Sequence, residues 1–194
     1  MIDWKQITRE NLLFVLVDFQ EKFFPILDPA IVRLVKANLL LLVRTLQAMN
    51  VPLIGTEHYV KGLGPTDGDV LRAWGDAPMT GKVTFSCCRD EAFLANLDRH
   101  SRPVVAVAGL ETQICVLQTV LDLRDRGYEV LVLKDAVVST TKLKWENGLE
   151  LMRDAGAHIL NTDTLLFYLL QRVDTPEFKH FLKLLKEQQA FLAG

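Results

Sequence analysis

The chain has 194 residues, 49% of them hydrophobic and 24% charged, with a formal net charge of −2. That is the balance of an ordinary soluble globule with one substantial core, and it lacks the basic excess that marks nucleic-acid binders. Three cysteines, including the adjacent Cys87-Cys88 and no Cys-x-x-Cys spacing, exclude a disulfide framework and a zinc motif, which fits a reducing, cytoplasmic setting.

The first residues, MIDWKQITRENLLFVLVDF, lack the basic-then-apolar order of a secretory signal. Within them LLFVLV (12–17) predicts a buried strand that ends at Asp18. Residues 29–49 predict a helix with one very apolar face. Its most apolar part, 38–43, is bounded by Lys36 and Arg44 and falls far short of the ~18 residues a membrane span needs. VPLIGT (51–56) is the second strand, followed by a Gly/Pro-rich loop, YVKGLGPTDGD. GKVTFSC (81–87) reads as a short strand and RDEAFLANLDRH (89–100) as a helix. PVVAVA (103–108) is the next strand. After it, TQICVLQTVLDLRDRG (112–127) is a helix closed by glycine. YEVLVLKDA (128–136) is a strand, KWENGLELMRDAG (144–156) a helix, HIL (158–160) a strand and TDTLLFYLLQRV (162–173) a helix. Strands alternating with helices imply βαβ units. The expected α/β fold is a three-layer α/β/α sandwich around a mostly parallel, Rossmann-like sheet of about six strands, one domain spanning 1–194. The tail, about 175–192, carries an apolar stripe at Phe178, Phe181, Leu182 and Leu185, with Phe191 beyond. Such a helix packs either on its own domain or on a partner subunit.

Ligands of open α/β sheets gather at the carboxyl ends of the strands. There the reading sets Asp18 after the first strand, Glu57-His58 after the second, and Cys115 one turn beyond the fourth. In GLETQIC (109–115), a Thr112 cap would make Cys115 the third helical residue, among N–H groups that lack intrahelical partners. Those groups and the positive end of the helix dipole favour thiolate over thiol and could hold an oxyanion. The plainer alternative is that Cys115 is a small apolar filler. Asp18 is a turn or cap residue or else a base, and Lys82 is a solvated strand end or else a site cation. Cys87 and Cys88 read as packing residues.

Five motifs occur in one order: LVDFQ with Asp18, TEHY-x-KGLGPT from Thr56 to Thr66, K-x-x-FSC from Lys82 to Cys87, GLET-x-x-CVLQTVLDL from Gly109 to Leu123, and G-Y-E-V-x-V-x-x-D-A from Gly127 to Ala136. In these the chain resembles the isochorismatase-like cysteine hydrolase superfamily, which includes nicotinamidases and carbamoyl-group amidohydrolases. It looks most like the isochorismatase-domain members of unknown substrate. The resemblance implies an Asp-Lys-Cys triad of Asp18, Lys82 and Cys115, with Cys115 attacking a carbonyl, Asp18 carrying the proton and Lys82 stabilising the charged pair. It also implies a cis peptide at Leu110-Glu111 and an oxyanion hole made by the N–H groups of Glu111 and Cys115. The reaction implied is hydrolysis of a small amide or related C–N bond through a thioester.

Nicotinamidases bind a metal through Asp-x-His and further histidines. Here Glu57-His58 stands in that place and His100, His158 and His180 are scattered, so neither metal nor cofactor is expected. Glu111 is expected to be paired or turned away, because a carboxylate facing the thiol would oppose its ionisation. Phe19, Phe24, His58 and Tyr59 are candidates for the substrate pocket, and equally for the core. The partners implied are a small-molecule substrate and further copies in a homo-oligomer, with neither nucleic acid nor membrane. Two readings compete: a catalytically idle scaffold serving protein association, and a flavodoxin-like or dinucleotide-binding module. The latter is disfavoured because no G-x-G-x-x-G follows a strand.

Overall fold

Six fully buried apolar residues form the first strand, β1 (Leu12–Val17), in a computed structural model that describes residues 3–193. The chain continues through α1 (Pro29–Ala48), β2 (Leu53–His58), the short helices α2 (Val60–Leu63) and α3 (Gly68–Trp74), and β3 (Met79–Lys82). Then follow α4 (Glu91–His100), β4 (Val104–Leu110), α5 (Leu117–Asp125), β5 (Glu129–Val138), α6 (Lys142–Asp154), β6 (His158–Leu160), α7 (Thr162–Leu170) and α8 (Pro176–Ala193). The strands form one sheet in the order β3-β2-β1-β4-β5-β6, every neighbouring pair parallel.

Strand side chains alternate between two cores, as the period of two requires. Leu12, Phe14 and Leu16 face a core completed by α1, α3, α7 and α8. Leu13, Val15 and Val17 face a second one with Phe93 and Leu97 of α4, Val120 and Leu123 of α5, and Leu149 and Met152 of α6. With both faces covered, the strands read as unbroken apolar runs. The three-layer α/β expectation holds, with a sheet that is parallel throughout.

Three elements differ from expectation. The third strand runs from Met79 to Lys82, not over 81–87, because the Lys82 ammonium gathers the carbonyl oxygens of Thr84 and Phe85 and folds the chain out of the sheet. Val83 and Phe85, which alternate like strand residues, are 78% and 52% exposed. The Gly/Pro-rich loop is not bare: it holds α2, and α3 begins under an Asp67 cap, whose Oδ1 accepts the N–H groups of Asp69 and Val70. On α8 the buried residues are Phe181 and Leu184, while Leu182 lies 39% exposed. That helix docks on α1 of its own chain. Arg44 pairs with Glu187, Gln188 donates to Asn38 Oδ1 at 2.7 Å, and Arg33 Nε donates to the Phe191 carbonyl at 3.0 Å.

Strand order reverses between β1 and β4, where β2 and β3 extend one way and β5 and β6 the other. The crevice at such a switch point, beyond the carboxyl ends of the strands, is where doubly wound sheets bind ligands. Asp18 follows β1 and Glu111 follows β4, so the chain enters the crevice from both central strands.

Candidate active site

Asp18 sits at positive φ (50°), a conformation that aspartate tolerates better than most residues. The turn carries its carboxylate into the interior, where it is 1% exposed. Both oxygens are engaged: Oδ1 accepts the Thr56 hydroxyl at 2.7 Å and Oδ2 accepts Lys82 Nζ at 2.6 Å. Lys82, the last residue of β3, has its ammonium group fully buried. An ammonium has three N–H bonds. Here they go to Asp18 Oδ2, the Thr84 carbonyl (3.0 Å) and the Phe85 carbonyl (3.1 Å). Such a lysine is a fixed charge rather than a mobile one, and its desolvation is offset by three acceptors.

Cys115 lies in the turn that leads from β4 into α5. The Leu110-Glu111 peptide is cis. The first helical turn, Thr112–Val116, is wide: the Glu111 carbonyl accepts the N–H of Ile114 at 3.0 Å and of Val116 at 3.3 Å, and the Cys115 N–H is not among its donors. Thr112 does not cap this helix. Glu111 holds the cap position without a side-chain bond, and Thr112 Oγ1 is buried with no partner. Cys115 is therefore the fourth residue of a π-type turn, not the third of an α-helix. Its residue surface is 7% exposed.

The expected drift towards thiolate is also corrected. Burial, followed by the Asp18 charge and its hydrogen bonding, pushes the Cys115 thiol well above the ordinary range, and Lys82 only partly opposes them. The Asp18 carboxylate is thus within hydrogen-bonding reach of the Cys115 thiol. Glu111 does not face the thiol: its Oε1 accepts the Thr140 N–H at 3.1 Å.

The expected substrate pocket divides. His58 stacks on Phe85 with centroids 5.5 Å apart, its Nδ1 buried and unpartnered, and the Tyr59 N–H donates to the Lys82 carbonyl at 2.8 Å. These two residues border the lysine. Phe19, in contrast, is fully buried in the core beneath α1, with the Phe24 ring 5.0 Å from its own. The side chain after Asp18 points to that face of the sheet, so Phe19 packs in the core, while Phe24 is half-buried beside it. Glu57 ties down the neighbouring loop, Oε1 accepting the Thr66 N–H at 2.6 Å.

Several contributors have no local sequence signature. Thr56 and Cys87 stand next to Asp18, with Thr56 Oγ1 and Cys87 Sγ 3.4 Å apart. Thr119 donates to the Cys115 carbonyl at 2.7 Å. Ser139 donates to Gln113 Oε1 at 2.6 Å, and Gly148 of α6 presses on the backbone of Thr112 and Gln113. Thr56, Cys87 and Thr119 fall inside three of the motifs, but nothing in the sequence marked them as contacts of the site. Among the described residues no three His, Cys, Asp or Glu side chains are grouped so as to hold a metal ion, and no helix is long and apolar enough to cross a membrane.

The isochorismatase domain family model matches residues 12–164. The mouse isochorismatase domain-containing protein 2A is 37% identical over 185 residues, which cover 94% of this chain and 86% of that one. Among solved structures, the MAR1 ribonuclease of Caenorhabditis elegans superposes with a TM-score of 0.85 at 29% identity, covering 92% of this chain and 91% of the other. YcaC of Escherichia coli, an octameric hydrolase of unknown specificity, gives a TM-score of 0.85 at 20% identity, covering 96% and 94%.

Proposed function

The chain belongs to the isochorismatase family, and from that premise we propose that it hydrolyses a small amide or related C–N bond with Cys115 as nucleophile, Asp18 as proton carrier and Lys82 as fixed cation. The observation that carries the reading is the buried Lys82–Asp18 pair beside Cys115, with every lysine N–H engaged. A buried charge pair is costly to desolvate, and such pairs concentrate where chemistry or specificity needs them.

In this reading the steps start from a proton on the Cys115 sulfur, with the Asp18 carboxylate in reach of it. As sulfur attacks the substrate carbonyl carbon, its proton passes to Asp18; the carboxyl becomes neutral, the negative charge moves to the substrate oxygen, and Lys82 stays in place as the fixed cation. The carbonyl oxygen becomes an oxyanion held by the N–H groups of Glu111 and Cys115. Collapse breaks the C–N bond, the departing amine takes the proton from Asp18, and a thioester remains. Water then loses a proton to Asp18 as it attacks the thioester. The second collapse breaks C–S, and the sulfur recovers the proton. All three groups end as they began.

The ribonuclease name belongs to the C. elegans protein. Here the net charge of −2 supplies no cationic excess for a phosphate backbone, and the site suits attack at a carbonyl. Assembly into a homo-oligomer belongs to the same proposal, in keeping with the octamer of YcaC. So does a cytoplasmic setting, which suits three free, buried thiols.

A screen of small carboxamides tests the reading, comparing the parent with Cys115→Ala. Turnover is expected in the parent with an acyl adduct on Cys115 detectable by mass spectrometry, and a fall of at least about 10³-fold in the variant. Turnover that survives in Cys115→Ala would remove the nucleophile, and a catalytically idle scaffold shows neither turnover nor adduct.

A further inference from the structure

Thr56 grips Asp18 at two points. Its carbonyl accepts the Asp18 N–H at 3.1 Å, and its hydroxyl donates to Oδ1 at 2.7 Å. Thr56 and Cys87 are both fully buried, so water does not compete for these bonds. A threonine hydroxyl has a single hydrogen. With that hydrogen committed to the carboxylate, the 3.4 Å contact between Thr56 Oγ1 and Cys87 Sγ takes its proton from the thiol. Cys87 keeps that proton at working pH: burial, then the Asp18 charge, push its thiol up to about 11. The bonds therefore run one way, from the Cys87 S–H to Thr56 Oγ1 and from the Thr56 O–H to Asp18 Oδ1. Cys87 is also tied to the nucleophile turn. Its N–H donates to Thr119 Oγ1 at 3.0 Å, and the Thr119 hydroxyl donates to the Cys115 carbonyl. One cysteine with no part in the proposed reaction is thus linked through two threonines to both reacting groups.

We infer that Thr56, backed by the Cys87 thiol, is a positioning residue: it fixes the orientation of the Asp18 carboxylate by donating to it, so that a base meets the Cys115 proton. This rests on the triad reading above. The physical reason is that a hydrogen bond donated to a carboxylate favours its charged form, and a donor that is itself hydrogen-bonded is the stronger for it. Lys82 holds the other oxygen, so without Thr56 the carboxylate would keep only the Lys82 ammonium and the reacting thiol as side-chain partners and could turn about them.

The test needs no substrate. The rate of iodoacetamide capture at Cys115, followed by peptide mass spectrometry so that Cys87 and Cys88 are counted separately, is recorded against pH. A carboxylate that loses a donor keeps its proton to higher pH. The acid limb of the Cys115 profile should accordingly move up by about one pH unit in Thr56→Val. Thr56→Ser, which restores the hydroxyl, should return the limb to the parent position, and Cys87→Ala should move it the same way by less. If Thr56→Val does not fold, Cys87→Ala against Cys87→Ser, which retains a donor, makes the same comparison. Superimposable profiles for the parent, Thr56→Val and Cys87→Ala overturn the inference, as does a serine that fails to rescue. Asp18→Asn separates this failure from that of the triad. If the acid limb survives loss of the carboxylate, the triad reading falls. If it vanishes there yet does not respond to Thr56→Val, only the positioning role falls.

Discussion

A threonine at the start of a helix ordinarily accepts a backbone N–H two or three residues on, and replacing it costs about 1 kcal/mol. Thr112 occupies such a place in the sequence, yet its hydroxyl is buried without a partner, because the wide turn begins from the Glu111 carbonyl and leaves the side chain facing the interior. An unpaired buried hydroxyl is a liability of about 1–3 kcal/mol rather than an asset. Thr112→Val, which keeps the shape, is therefore expected to leave stability unchanged or raise it by about 1 kcal/mol, read from the midpoint of urea unfolding at unchanged slope. A loss of the size expected for a cap would show that the hydroxyl finds a partner in solution. Gly109, three residues earlier, is constrained in the opposite way. Its φ is 126°, and a Cβ there would lie 1.9 Å from the Val17 carbonyl oxygen, so the glycine of the motif lets β4 close on β1 just below the crevice.

Between elements, the turn that carries Cys115 is held chiefly by α6 and the segment leading into it. The Glu111 carboxylate takes the Thr140 N–H, Gln113 takes the Ser139 hydroxyl, and Gly148 lets α6 approach until an added Cβ would sit 3.0 Å from Gln113 Cα, Gln113 N and Thr112 C. These are backbone atoms and cannot rotate away. Gly148→Ala gains about 1 kcal/mol in helix propensity, and overpacking costs about 1–3 kcal/mol. A net loss of about 1 kcal/mol is expected, with slower capture of iodoacetamide at Cys115 than in the parent. Stabilisation with unchanged capture would mean that α6 yields freely. This clamp was illegible in the sequence because its contacts join positions far apart and follow no period. A strand made of a continuous apolar run was legible: β1 coincides with LLFVLV. The third strand was misread because Val83 and Phe85 imitate strand alternation although a buried ammonium has claimed the carbonyls beside them. For the candidate site, motif order singled out Asp18, Lys82 and Cys115. Thr56 and Cys87, whose hydroxyl and thiol lie beside Asp18, stood in the motifs too, but as ordinary core residue types they gave no sign of that contact.

For the molecule as a whole, the open question of the sequence was whether the last helix serves this chain or a neighbour. Phe181 and Leu184 are buried against their own chain, and Phe181 meets Phe167 edge-on at 5.1 Å and Phe178 at 6.1 Å. Leu182, Phe191 and Leu192 remain partly exposed, so an assembled oligomer could still draw on the outer side of α8. The two roles separate by measurement. Truncating a buried phenylalanine removes its transfer energy and leaves a cavity that neighbouring aromatic rings cannot close, so Phe181→Ala should cost about 3–5 kcal/mol in urea unfolding, whatever the protein concentration. Leu182→Ala should stay within about 0.5 kcal/mol if its surface meets only water. If copies pair through that surface, the Leu182→Ala loss becomes larger and concentration-dependent, because association adds to apparent stability by mass action. A small effect of Phe181→Ala, with a large and concentration-dependent one for Leu182→Ala, would reverse the assignment and make the helix first a subunit contact. Neither change touches Asp18, Lys82 or Cys115, so capture at Cys115 in the folded fraction should match the parent in both.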